Sequence, residues 1–155
     1  MKHFFLICLT FFSLLSCSSD DDNDGSSSIS DQNLSGTVEG NSFTFKGGQA
    51  YFRSSSSTEE ITINLTNEPF GCETSTFDYG LKISADVPNE VGVYTDVNIV
   101  TQDGNNTPFN SIGETVEITA VSATEISGKM KLNKEGSSMF AESIFEGSFT
   151  ISICE

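Results

Sequence analysis

The chain has 155 residues, which is room for an export signal, a linker and one domain, since single domains run to roughly 100–200 residues. Its 22 acidic and 7 basic residues give a net charge of −15, and that excludes nucleic acid as a partner, because displacing phosphate counterions takes clustered Lys and Arg. It also excludes lying flat on an anionic membrane; the plain consequence is an acidic shell that keeps an exported domain soluble.

The first element is an export signal. Lys2 supplies a positive start, and Phe4 to Leu15 is an unbroken run of low polarity. A spanning helix needs about 20 such residues, so the run fits the core of a signal peptide over residues 1–16. It ends in Leu14-Leu15-Ser16-Cys17. This resembles the lipobox of bacterial lipoproteins. The resemblance implies cleavage before Cys17, a diacylglyceryl thioether on its sulfur, and acylation of the new amino group. One acyl chain holds a protein marginally, whereas two or more hold it stably. The expected partner is therefore a membrane, reached through lipid on Cys17.

Residues 17–33 follow as a tether. Ser18 to Ser28 is serine, aspartate, asparagine and glycine, a composition that cannot offset the entropy of ordering. As a flexible coil it spans roughly 20–24 Å. Its aspartates lack the preorganised loop that calcium sites use. The Cys17-Ser18-Ser19-Asp20-Asp21-Asp22 start is similar to small surface lipoproteins of Bacteroidota, in which an acidic patch after the lipidated Cys directs export to the cell surface. That resemblance covers residues 1–25 and implies an outer-membrane anchor with outward display.

Residues 34–155 read as one β domain. Period-two alternation is frequent and helical periodicity is hard to find. Gly40-Asn41 suits a two-residue turn, which would set Val38 opposite Phe43. Gln49 to Arg53 is a strand, and Ser54 to Thr58 a polar loop. Glu60 to Thr66 alternates most cleanly, with Ile61, Ile63 and Leu65 on one face and Thr62, Asn64 and Thr66 on the other. Tyr79, Leu81, Ile83 and Ala85 repeat the pattern. Val93–Tyr94 and Val97–Thr101 are shorter strands. Thr115–Val121 and Glu125–Leu132 form a hairpin around Ala123-Thr124, and Phe145, Phe149, Ile151 and Ile153 line one face of a last strand. This predicts an all-β fold, an antiparallel β-sandwich or barrel of about eight or nine strands. The two are not separable by composition. The Ile126-Ser127-Gly128 and Glu146-Gly147-Ser148-Phe149 segments are similar to β-rich flavobacterial lipoproteins, a resemblance that implies no activity.

Four cysteines are present. Cys8 lies in the signal peptide and Cys17 takes lipid, which leaves Cys72 and Cys154 in an oxidising compartment. A disulfide between them is the simplest reading. In the chain-entropy model, closing a loop of that length is worth about 4.5 kcal/mol. Without a CxxC motif, thiol–disulfide catalysis is not expected.

The one histidine is His3, within the signal peptide. The mature chain thus has no imidazole for Ser-His-Asp or Cys-His catalysis or for a histidine zinc site, and no glycine-rich phosphate loop. No cofactor and no metal are expected. A carboxylate pair of the glycosidase kind remains open, with Asp78, Asp86, Asp96 and Glu146 as acids near strand ends. Two loops join proline to an aromatic, Pro69-Phe70 and Pro108-Phe109. An exposed Phe70 or Phe109 would be a binding anchor, and a folded-back one would cap the core. The absence of Trp weighs mildly against a stacked sugar. The expectation is a non-enzymatic surface lipoprotein that binds an extracellular glycan or protein or serves the envelope; the alternative is a hydrolase with two carboxylates.

Overall fold

A computed structural model describes residues 28–54, 57–104 and 106–155. The expected signal peptide, Cys17 and most of the expected tether lie outside the described residues. Nine strands are found among them: β1 (Ser35–Val38), β2 (Asn41–Thr44), β3 (Gly47–Ser54), β4 (Ser57–Thr66), β5 (Leu81–Pro88), β6 (Gly92–Asp103), β7 (Phe109–Val121), β8 (Glu125–Lys134) and β9 (Ser143–Ile153).

The expected all-β class holds, and the choice between sandwich and barrel falls to the barrel. Strands β3 to β8 pair with their neighbours in chain order, all antiparallel. Strand β9 pairs antiparallel with β8 and parallel with β3, which closes a seven-stranded barrel. The β1–β2 hairpin is an addition, attached where β1 pairs antiparallel with residues 144–146 of β9.

Alternation explains the core. Ile61, Ile63 and Leu65 of β4 are fully buried, and so are Ile83, Ile99, Val116, Ile126 and Met130 on their neighbours. Burying such aliphatics stabilises by about 1.5–3 kcal/mol each. On β9, Ser143, Phe145, Gly147, Phe149 and Ile151 point inward in unbroken alternation. Val38 and Phe43 of the hairpin join the same core, so the hairpin closes one mouth of the barrel.

The hairpin register differs from expectation. Val38 pairs with Asn41, and Phe43 with Gly36. The turn is Glu39-Gly40, both at positive φ (48° and 78°), as a two-residue turn of this hand requires. A register change of two keeps every side chain on its expected face, so Val38 and Phe43 are diagonal neighbours. Glu39 takes a conformation unusual for a non-glycine residue, and its side chain is held. Its carboxylate accepts from the hydroxyls of Thr101 on β6 and Ser143 on β9, and its N–H donates to Ser143 Oγ at 3.0 Å.

The folded part also starts before residue 34. Ile29 is buried. The Ser30 N–H donates to Glu146 at 2.7 Å, Asp31 pairs with Lys129 at 2.7 Å, and the Ser148 N–H donates to the Gln32 carbonyl at 2.7 Å. Residues 29–33, expected within the tether, thus run along the barrel wall. No helix among the described residues is long and apolar enough to cross a membrane.

Candidate functional site

The mouth that the hairpin covers gathers polar side chains, Asn41, Ser42, Asn67, Glu68 and Asp103. Here β4 ends, β5 begins, β6 ends, and the hairpin crosses between β9 and the start of β3. Beside the hairpin lies a cleft of about 440 Å³, within the size range of small-ligand sites. Asn41 and Ser42 of the hairpin line it together with Asn67, Glu68, Gly80, Leu81 and Asp103. The Glu68 carboxylate accepts the Gly80 N–H at 3.2 Å, and Asp103 accepts from the Asn41 amide at 3.4 Å. Neither acid makes an ion pair with a described residue. No group of three or more potential metal ligands occurs among the described residues.

The loop between β4 and β5 is the second feature of this mouth. It doubles back over the outer face of the barrel: Gly48 N–H donates to the Phe70 carbonyl at 2.8 Å, and Gln49 Nε2 to the Thr74 carbonyl at 3.3 Å. A 3₁₀ turn over Thr76–Asp78 is capped by Ser75, whose hydroxyl accepts from the Phe77 N–H. The outward face at the end of β4 is therefore covered, while Glu60 and Thr62 at its start are not. Asn64 is 3% exposed and Thr66 0%, although alternation places both on the solvent side. Burial pushes the Tyr79 phenol up and the Lys82 ammonium down, because both charged forms lose solvation.

Cys72, in this loop, and Cys154, just after β9, stand at disulfide distance with Cα atoms 5.5 Å apart, inside the usual bridging range. The pair sits beside the parallel β3–β9 contact, where Cys154 N–H also donates to the Ala50 carbonyl at 2.7 Å.

The two loop phenylalanines fold back. Phe70 packs on Tyr79 with ring centroids 5.8 Å apart. Phe109 packs on Phe140 at 4.9 Å, and the Lys134 ammonium lies 3.6 Å above the Phe109 ring, a cation–π arrangement. Both rings are half-buried. Among the described residues, the apolar side chains that project furthest between strands are Phe77 and Met139, each 87% exposed. Neither carries a proline signal, so pattern reading passes over them.

The four candidate acids do not converge. Asp86 pairs with Arg53 at 3.2 Å and accepts from the Thr62 hydroxyl at 2.5 Å. Glu146 is held below the usual carboxylate range, first by the Ser30 N–H and then by Lys131, against an opposing effect of burial. Asp86 and Glu146 border two separate hollows, neither lined by a second described carboxylate. Asp78 and Asp96 are exposed. Two acids that the sequence did not single out, Glu68 and Asp103, share the cleft instead. They meet because Leu81 pairs with Asp103 across β5 and β6 while Glu68, just after β4, holds the Gly80 N–H, and no spacing in the chain signals it. Glu114 is pushed up by burial, with Lys134 pulling the other way; it lies outside that cleft.

No family model, no curated protein and no solved structure matches this chain.

Proposed function

We propose that the chain is a lipoprotein anchored through Cys17 in an outer membrane, displayed on the bacterial cell surface, and that its barrel is a non-catalytic binding module. The anchor reading is supported by the apolar run, the Leu-Leu-Ser-Cys junction and the acidic stretch after it. The binding reading is carried by one observation: the barrel mouth holds an open polar cleft whose two acids make no ion pair among the described residues. A mature chain without imidazole lacks the commonest general base, which favours recognition over turnover.

Cell fractionation tests the anchor. Cys17→Ala should move the protein from the membrane pellet to the soluble fraction, and continued retention would count against it. Protease added to intact cells should cut the displayed chain, and complete protection would count against display.

The hydrolase alternative has one observation in its favour, since Glu68 and Asp103 line the same cleft. A panel of chromogenic glycosides decides it. Turnover that disappears in Glu68→Gln or Asp103→Asn would replace the non-catalytic reading.

A further inference from the structure

We infer that the outer edge of β2 is a docking site for an extended peptide bearing Lys or Arg, whose side chain enters the cleft lined by Glu68 and Asp103. This rests on the binding-module reading and names its ligand class.

The sheet of described residues has one unpaired edge. At its other end the sheet returns to itself, because β8 pairs with β9 as well as β7, whereas β2 has β1 on one side and no strand on the other. Antiparallel pairs alternate between those that exchange hydrogen bonds and those that do not. Phe45 N–H donates to the Leu34 carbonyl at 2.8 Å, so position 45 is of the bonded kind. Positions 43 and 41 follow, paired with Gly36 and Val38. Ser42 and Thr44 therefore turn their N–H and C=O groups away from β1, and their side chains are exposed. Such a row is a ready template for strand addition.

Position and charge select the occupant. Ser42 lines the cleft together with Glu68 and Asp103. A peptide strand laid against β2 would run beside that cleft, and carboxylates without cationic partners among the described residues favour ammonium or guanidinium groups there. A second copy of this chain is disfavoured, since pairing two β2 edges brings two acid-lined clefts together on molecules of net charge −15. An acidic peptide is disfavoured for the same reason. The short edge, two outward residues, limits the backbone contribution, so the charged contact sets specificity.

The test uses the chain as it matures in cells, ¹⁵N-labelled and purified in detergent. It is titrated with a peptide alternating lysine with threonine, and with the counterpart in which glutamate replaces lysine. The expected result is that the Ser42 and Thr44 amides shift and gain exchange protection with the lysine peptide alone. Glu68→Gln with Asp103→Asn should weaken binding at least about tenfold. Thr44→Pro should abolish it by removing an outward donor while leaving the inward bonds of Phe43 and Phe45 in place.

Unmoved Ser42 and Thr44 amides at millimolar peptide, equal binding of both peptides, or unchanged affinity in the double variant would each overturn the inference. So would the same amides shifting with calcium alone. Fractionation of Cys17→Ala is independent of any peptide, so failure of the docking site and failure of the anchor are read separately.

Discussion

The two edges of β9 are built on opposite plans. Toward β8 the strand is paired antiparallel over ten residue pairs, from Ser143↔Lys134 to Ser152↔Glu125. Toward the other side its partners are divided: three residues face β1, two pair in parallel with β3, and Ser148 bridges to Asn33. One edge is a continuous ladder. The other is assembled from three short pieces and reinforced by side chains: Gln49, the Cys72–Cys154 pair and the Glu39 carboxylate. A barrel closed this way depends on local details at its seam far more than along its ladder.

The largest effect expected from that contrast is at Gly147. It has a φ of 144°, and an added Cβ would lie 2.5 Å from Leu34 Cα and 2.6 Å from the Gln32 carbonyl oxygen, both backbone atoms. Gly147→Ala should therefore destabilise by at least about 3 kcal/mol or expel residues 29–34 from the wall. Urea unfolding with hydrogen exchange at Leu34 measures both. Wild-type stability with protected Leu34 would show that the seam yields more easily than its geometry implies.

The next effect is at the sulfurs. Mass spectrometry of unreduced protein should show Cys72 joined to Cys154, and two alkylatable thiols would refute that. Cys72→Ala should then cost about 2–4 kcal/mol. The loss should be uneven, with exchange rising first in residues 67–80 and at Ala50 while Phe145 and Phe149, on the ladder, stay protected. Uniform loosening would erase the distinction between the two edges.

The smallest effect is set by pH. The Glu146 carboxyl is held below its ordinary value mainly by the Ser30 N–H. A lowered folded-state value stabilises the docked segment above the ordinary glutamate range, near pH 4.3, and that stabilisation is lost as pH falls through the lowered value. The group is partly exposed, so the change should be local. Exchange at Ser30 should accelerate on acidification while the barrel amides hold, and Glu146→Gln should abolish the step. A Ser30 rate with the same acid response in both forms would assign the docking to Ile29 burial alone.

These contrasts show what the chain discloses on reading. Faces are legible because alternation is local: Ile61, Ile63 and Leu65 declare themselves, as do Phe145, Phe149 and Ile151. The hairpin at residues 122–124 is equally clear, with Val121 paired to Ile126. Closure is not legible, because two residue pairs between β3 and β9 leave no pattern longer than noise. For the same reason Asn64 and Thr66 read as solvent-facing. Only the fold brings the 67–80 loop back over them. The cleft follows this rule, since Asn41, Glu68 and Asp103 come from three separated segments. Cys72 and Cys154 were readable by elimination among four cysteines, without any knowledge of their proximity.

The placement of β9 has a consequence for assembly. It follows the other eight described strands in the chain, yet β1, β3 and β8 all require it as a neighbour. During synthesis the earlier strands have no complete enclosure to enter, and long-range pairing of this sort is intrinsically slow. For the surface-displayed lipoprotein proposed above, which reaches its membrane before it works, such delay is an advantage. The barrel stays open until β9 joins β3 to β8, and only then can the cylinder shut.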